Sequence, residues 1–203
     1  MEVRIAKVIS YIFHPLLLPL YAVILILQLD TLQVFIIPEN ARWLMIGMIA
    51  IATVVFPVLL TLLFVRGGLI QSMKLDNRQE RLYPYIIMAV IYYSMYLLFK
   101  NASIPSIFNN FMLGVTLILI VLLLINFRWK ISIHMAGIGG LTGAFTGIAI
   151  RYYLDIIVLI LIVVFIAGVV GFARLKLNTH KEYEVYTGYV LGLALMLAVY
   201  LIM

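Results

Sequence analysis

The stretch "ISIHMAGIGGLTGAFTG", residues 131–147, carries the pattern that decides how the helices of this chain pack. Small residues recur along it at intervals of four and form two rows. The rows are Gly139, Gly143 and Gly147, and Ala136, Gly140 and Ala144. Small residues at this spacing let two helices approach closely within a membrane. The stretch therefore predicts a tightly packed helix, in which the glycines serve packing and do not form a nucleotide-binding loop.

The composition around this stretch is that of a membrane protein. Of the 203 residues, 66% are hydrophobic and 11% are charged, whereas soluble domains are about half apolar and a quarter charged. The chain has no cysteine, which excludes a disulfide framework and a thiolate metal site. Because so little of the chain is polar, the net charge of +6 favours a topology signal or an anionic substrate over nucleic acid.

Apolar runs predict seven membrane-spanning helices in one all-α domain that covers residues 1–203. Five runs reach the length of about 18 residues that a span requires, and two shorter runs are flanked by charge. The long runs cover 8–28, 43–65, 107–127, 154–173 and 186–203, and the shorter ones cover 84–99 and 131–150. The first run is too long for a signal peptide and lacks a cleavage site, so we expect a retained anchor.

Seven spans place alternate loops on the same side of the membrane. Side A is defined by the amino terminus and the loops 66–83, 128–131 and 174–185, and side B by the loops 29–42, 100–106 and 151–153. Of the 14 Lys and Arg residues, side B holds three: Arg42, Lys100 and Arg151. The remainder, on side A, are Arg4, Lys7, Arg66, Lys74, Arg78, Arg81, Arg128, Lys130, Arg174, Lys176 and Lys181. The positive-inside rule then predicts that side A faces the cytoplasm.

One side A loop, "KLDNRQERLYP" at residues 74–84, places charges between two apolar runs. If it is helical, Lys74, Arg78 and Arg81 form one stripe of cations at i, i+4 and i+7. Such a stripe suits a phosphate, which Arg binds with a planar fork and Lys with a point charge. A solvated cytoplasmic loop that obeys the positive-inside rule explains the same charges, so both interpretations stay open.

Two further polar groups are predicted on side A. Ser132 and His134 stand where a span enters the membrane, so a phosphate there could meet a helix amino terminus and a hydroxyl donor. In "ARLKLNTHKEYEVYTG", residues 173–188, His180 and Glu184 are four apart. On a helix they share a face, and the carboxylate can hold one imidazole nitrogen and leave the other available. Ionisable groups cost about 2.5–3.5 kcal/mol each within a membrane, so their clustering suggests a site.

In order and spacing, these stretches resemble the three motifs of the type 2 phosphatidic acid phosphatase superfamily, which also includes vanadium haloperoxidases. The motifs are Lys, six residues, Arg-Pro; Pro-Ser-Gly-His; and Ser-Arg, five residues, His, three residues, Asp. The matching residues are Lys74 and Arg81, then Ser132 and His134, then Arg174, His180 and Glu184. The match spans more than half of the chain and lies on one predicted side of the membrane.

The chain departs from these motifs at five positions. Leu82 and Ile131 replace prolines, Ala173 replaces the serine, and Glu184 is one methylene longer than the family's Asp. Ile133 replaces a glycine that would allow close backbone approach. We therefore expect a reshaped phosphate pocket and a shifted His180 ring.

The resemblance implies a division of roles among the matched residues. His180 would attack phosphorus and form a phosphohistidine, Glu184 would orient it, and His134 would protonate the leaving oxygen. The implied phosphate ligands are Lys74, Arg81, Ser132 and Arg174, and Arg78 is an additional candidate from the same stripe. Neither a metal nor another cofactor is implied, because fixed cations would neutralise the transition-state charge.

The function that the resemblance implies is hydrolysis of a lipid phosphate monoester or diphosphate. The candidate substrates are phosphatidate, phosphatidylglycerol phosphate, an isoprenyl diphosphate and a lipid A phosphate. Transfer of phosphate or of a headgroup between lipids on the same fold is one alternative, and a non-enzymatic anion or lipid carrier is another. A carrier is expected to show repeated halves and polar residues near the midplane, and the sequence shows no clear repeat.

The expected location is the bacterial inner membrane, among membrane lipids and without a nucleic-acid partner. The charge bias places the site on the cytoplasmic face. Many bacterial members of the superfamily act on the outer face, which is the opposite expectation. The oligomeric state stays open.

His14 and a group of aromatic residues have two interpretations each. His14, with Pro15 and Pro19 nearby, marks a kink in the first span or lines a substrate channel. The aromatic residues near side A form an interfacial belt or flank a lipid headgroup. They are Tyr83, Tyr85, Trp129, Tyr183 and Tyr186.

Overall fold

The computed structural model describes residues 1–68 and 82–203, and helices dominate both ranges. The helices, numbered in chain order, are α1 (Glu2–Ile12), α2 (Leu18–Ile26), α3 (Leu32–Phe35), α4 (Glu39–Arg66), α5 (Leu82–Asn101), α6 (Ser106–Asn126), α7 (Ile133–Tyr152), α8 (Ile157–Lys176) and α9 (Glu182–Ile202). Within these ranges, the six helices α4 to α9 are long and apolar enough to cross a membrane. The chain is therefore a helical integral membrane protein.

The helix α4 contains one turn of wider winding. Residues Ile51–Val55 form a π-helical segment just before Pro57. A proline lacks the N–H that would continue the ladder of hydrogen bonds, and a π-helical turn is one way of absorbing such a defect. The span nevertheless continues to Arg66.

The first predicted span differs from the expectation of an uninterrupted helix over 8–28. α1 ends at Ile12 and α2 begins at Leu18, and Leu16 N–H donates to His14 Nδ1 (3.3 Å) between them. Pro15 has no N–H, and its ring clashes with the carbonyl four residues earlier, so a helix cannot pass through it unchanged. Pro19 lies in the first turn of α2, where proline is tolerated. The predicted kink is a complete break.

The chain nevertheless passes from one end of α7 to the other between this break and α3. Near the start of α7, the rings of His14 and His134 lie 5.5 Å apart. In α3, Gln33 donates to Ser106 Oγ (3.2 Å), which in turn lies 3.3 Å from the hydroxyl of Tyr152 at the end of α7. The two ends of the segment from the break to α3 therefore lie at opposite ends of the bundle. Where seven spans were predicted, the described residues show six helices of spanning length.

α7 and α9 pack in parallel through their small residues. A Cβ added at Gly139 would overlap the carbonyl of Tyr189, and one added at Gly192 would overlap the carbonyl of Ala136. The other close approaches are Gly143 to Leu193, Gly147 to Tyr200 and Gly188 to Ser132. The predicted packing role of the glycine row is confirmed. Because the two helices are parallel, their amino-terminal ends, and the polar residues there, are brought together.

The polar loops group by side as predicted where they are described. At side A, Ser132 N–H at the start of α7 donates to the carbonyl of Glu184 in α9 (3.2 Å). At side B, Arg151 donates to the carbonyls of Tyr200 (2.9 Å) and Met203 (2.6 Å). Of the side A loop 66–83, only the ends are described.

Candidate functional site

The best-defined part of the site is a buried His–Glu pair at the start of α9. His180 Nδ1 lies 2.9 Å from Glu184 Oε2, and the same oxygen accepts the Lys181 N–H at 3.1 Å. Both side chains are buried. Because a carboxylate oxygen only accepts, Nδ1 is the protonated nitrogen and Nε2 of the neutral ring carries a lone pair. The contact predicted from the spacing of four is confirmed.

A tight turn after α8 delivers His180 to this position. Asn178 adopts a left-handed conformation (φ 51°), which Asn tolerates better than most residues. The Thr179 hydroxyl then donates to the carbonyl of Arg174 at 3.1 Å and ties the turn to the last turn of α8. Glu184 stands in the first turn of α9, where the helix dipole favours a negative charge.

The surroundings of His180 keep its ring neutral. Burial lowers the pKa of His180 to about 4, and the positive charges of Arg174 and Lys130 act in the same direction. The hydrogen bond to Glu184 opposes this shift and is outweighed. At neutral pH, His180 is therefore an unprotonated imidazole whose Nε2 can act as a nucleophile.

Ser10 of α1 joins two of the predicted site residues. Arg174 donates to the Ser10 hydroxyl at 3.3 Å, and His134 Nε2 lies 3.3 Å from the Ser10 carbonyl oxygen. Since a carbonyl only accepts, Nε2 of His134 carries a hydrogen, and Nδ1 is the ring nitrogen left for a ligand. Sequence reasoning missed Ser10. The signal that could have pointed to Ser10 is its spacing from Ala6: the two small residues are four apart and form the buried side of α1.

A cavity of about 540 Å³ opens from these residues into the bundle. Its polar end is formed by His14, His134, Arg174 and His180. The rest of its wall comes from α1, the break after it, α2, α4 to α7 and α9, and is almost entirely apolar or aromatic. Representative lining residues are Pro57, Tyr85, Met88, Tyr92, Phe111, Leu119, Leu122, Gly140 and Met196. A ligand of this shape has one anionic or polar end and an apolar body.

A second, polar groove lies on the loop side of the same histidine. Its volume is about 600 Å³, and its lining includes Lys130, Thr179, His180, Lys181 and Glu184. His180 thus lines both the apolar cavity and the polar groove.

The described residues among the predicted site set converge in part. His134, Arg174 and His180 line one cavity, and Glu184 stands behind His180. Ser132 is fully buried at the start of α7 and is not among the cavity-lining residues. Within the described chain, its hydroxyl has no hydrogen-bond partner, so its role as a phosphate ligand stays a prediction.

The remaining predicted cations, Lys74, Arg78 and Arg81, lie outside the described residues. Their neighbours on the chain are described. The rings of Phe64 and Tyr83 lie 6.2 Å apart, which brings the end of α4 next to the start of α5. The predicted cation stripe and its phosphate-binding role therefore stay predictions.

Two ambiguous groups are placed by the structure. His14 both marks the helix break and lines the cavity, with its ring edge-on to that of His134 (interplanar angle 81°). Trp129 and Tyr183 are partly exposed and in contact with each other at side A. Tyr85 differs from them, because it is buried and lines the cavity.

Fold and composition together define an all-helical integral membrane protein with a polar site at one end of its bundle. No protein-family model, curated protein or solved structure matched the chain.

Proposed function

We propose that this protein is a membrane phosphatase that hydrolyses a lipid phosphate monoester or diphosphate through a phosphohistidine. The observation that carries the proposal is the position of His180. Its neutral ring, held by the buried carboxylate of Glu184, stands between an apolar cavity and a polar groove and beside the Arg174 guanidinium. An amphiphile with a phosphate end fits this arrangement of polarity and charge.

The first step forms a bond between His180 Nε2 and phosphorus and breaks the bond from phosphorus to the leaving oxygen. Arg174 stabilises the negative charge on the transferring phosphoryl group. As the imidazole becomes positively charged, Glu184 stabilises it through the Nδ1–H hydrogen bond. The leaving oxygen takes a proton from His134, at Nδ1, and the negative charge of a bound phosphate favours the doubly protonated His134 ring that this transfer needs.

The second step hydrolyses the phosphohistidine. A water molecule attacks phosphorus, phosphate departs, and the electron pair returns to Nε2 of His180, while His134 accepts the proton that the water loses. The attacking water takes the position left by the departing oxygen, on the side of phosphorus opposite to His180 Nε2. An alcohol in the place of water would give phosphate transfer.

The proposed location is the bacterial inner membrane, with the site on the cytoplasmic face. This orientation follows from the excess of Lys and Arg on side A. Met203 lies at side B, where its carbonyl accepts from Arg151. A reporter fused after Met203 should therefore be found outside the cytoplasm, and a cytoplasmic reporter would reverse the proposed orientation.

The proposal is tested by phosphate release from a panel of lipid phosphates, with EDTA present. Purified wild-type protein should release phosphate from at least one lipid, and a His180→Ala preparation made in the same way controls for contaminating phosphatases. Release that collapses with EDTA would contradict the proposed reaction without a metal. A lack of release from every lipid would contradict the phosphatase function and favour a carrier.

A further inference from the structure

We propose that the site selects phosphates that carry one apolar chain, such as an isoprenyl or a single acyl chain, over phosphates with two acyl chains. The inference rests on the proposed function for the phosphate end and on the cavity for the chain. Of the four candidate substrates, the inference favours the isoprenyl diphosphate, in which a single chain carries the phosphate.

The volume of the cavity supports one chain. A methylene occupies about the volume of a water molecule in the liquid, ~30 Å³. A cavity of about 540 Å³ then holds roughly 18 methylenes at that volume, and fewer once part of the space is taken by the phosphate end. One acyl chain of common membrane length therefore fills this volume, and a second chain would have to lie outside it.

The shape of the cavity supports the same conclusion. Along α6 its lining runs from Leu122 near side A to Phe111, which is about 16 Å at a rise of 1.5 Å per residue. On α7 the lining includes Gly140, where an added Cβ would meet Ile118 Cδ1 at 2.8 Å. Gly140 therefore lies against the Ile118 side chain at a distance that leaves no room for a side chain of its own. The result is a deep pocket that runs along the bundle.

The polar residues fix the direction in which a chain enters. The three histidines and Arg174 lie together at the side A end, and the lining away from them is almost entirely apolar. A phosphate at Arg174 therefore directs the attached chain toward Phe111 and Met196. Because lipid tails and this lining are similarly apolar, such a chain can pass from the bilayer into the pocket without being exposed to water.

The first test compares two substrates with the same glycerol phosphate headgroup. Lysophosphatidate has one chain and phosphatidate has two, and both are presented in mixed micelles at equal surface fractions. We expect kcat/KM to be higher for lysophosphatidate by about tenfold or more, as for other steric selections by a pocket. Equal rates, or faster release from phosphatidate, would overturn the selection for one chain and leave the phosphatase function standing.

The second test changes the depth of the pocket at Val115, a half-buried lining residue of α6. With a series of single-chain alkyl phosphates, Val115→Phe should shift the chain-length optimum to shorter chains, and Val115→Ala should shift it to longer ones. The matched control is Val90→Phe, because Val90 is exposed on α5 and lies outside the cavity lining. An optimum unchanged in both Val115 variants, or shifted equally in the control, would overturn the inference.

A binding measurement separates failure of this inference from failure of the proposed function. Radiolabelled hexadecyl phosphate is bound to wild-type protein in detergent and displaced with lysophosphatidate or phosphatidate. Preferential displacement by lysophosphatidate would support a single-chain pocket even if no phosphate release is found. Equal displacement by both lipids would overturn it.

Discussion

His180 on the turn before α9 donates from Nδ1 to Glu184 Oε2 at 2.9 Å, and both side chains are buried. The Lys181 N–H holds the same carboxylate oxygen, so the acceptor has little freedom to move. In the proposed mechanism this pair decides which imidazole nitrogen faces the phosphorus atom. Its energetic importance is greatest when the ring becomes positively charged.

Replacing Glu184 by Gln should slow every substrate by a similar factor. A Gln oxygen can still accept from Nδ1, but it lacks the charge that stabilises the imidazolium in the transition state. We expect kcat to fall by up to about 10⁴-fold, the loss that the same amide replacement of an orienting carboxylate causes in a catalytic triad, on both a lipid phosphate and nitrophenyl phosphate. A loss confined to the lipid would remove Glu184 from the proposed role.

His134→Ala should separate substrates by their leaving groups. General acid catalysis typically supplies about 10²–10⁴-fold, and an alkyl oxygen such as that of a diacylglycerol or an isoprenol needs the proton. A nitrophenolate leaves without it, so nitrophenyl phosphate should retain much more of its rate. Equal losses on both esters would make His134 a phosphate ligand and exclude it as the general acid.

Ser10→Ala should act through Arg174. The substitution removes the hydroxyl that accepts from Arg174 and keeps the backbone carbonyl that contacts His134. A single hydrogen bond to a charged group contributes about 1.5–3 kcal/mol, so we expect KM for the phosphate substrate to rise about tenfold and kcat to change less. Ser94→Ala, at an exposed hydroxyl on α5, is the matched control. Unchanged values of both KM and kcat would exclude Ser10 as a positioning residue for Arg174, whereas a fall in kcat is the result expected if the transition-state contact of Arg174 is weakened.

The acid limb of the pH profile should report His180. The pKa of His180 is lowered to about 4, with burial as the largest cause, and the nucleophile must be unprotonated. As the pH falls through about 4, well below the usual histidine range, His180 becomes protonated and can no longer attack phosphorus. kcat/KM should therefore fall in this pH range. Lys130→Gln removes one of the charges that lower this pKa, so the limb should move to higher pH.

The comparison of wild-type protein with Lys130→Gln separates titration of the enzyme from titration of the substrate. A phosphate monoester has its own ionisation near pH 6, but that ionisation is the same whichever of the two proteins is assayed. Lys100→Gln, at the side B end of α5 near Tyr96, is the charge-matched control and should leave the limb where it is. A limb that fails to move in Lys130→Gln would disconnect it from His180.

The sequence predicted those parts of the molecule that depend on local spacing. The glycine row of α7 packs on α9 because small residues at intervals of four face one neighbour. His180 meets Glu184 as the spacing of four predicted, although His180 stands on the turn before α9 and not on the helix itself. The sequence did not predict Ser10 between His134 and Arg174, since these contacts join residues 124 and 164 positions apart. Nor did it predict the complete break at Pro15, because a proline inside a membrane span is compatible with a kink as well as with a break.

Tyr85 shows why some side chains could not be assigned from the sequence. Near the end of a span, an aromatic residue suits the membrane interface as well as a cavity wall. Only the packing of α5 against α6 and α4 turns Tyr85 inward, whereas Tyr83, two residues earlier, is exposed.

The most direct test of the central claim is detection of phosphate on His180 itself. Protein mixed with a ³²P-labelled lipid phosphate, quenched within one turnover in alkali and digested, should yield one labelled peptide containing phosphohistidine at His180. The label should decay when unlabelled substrate is added, and the His180→Ala variant should neither acquire it nor release phosphate. Turnover without label on His180, or full activity of His180→Ala, would contradict the account.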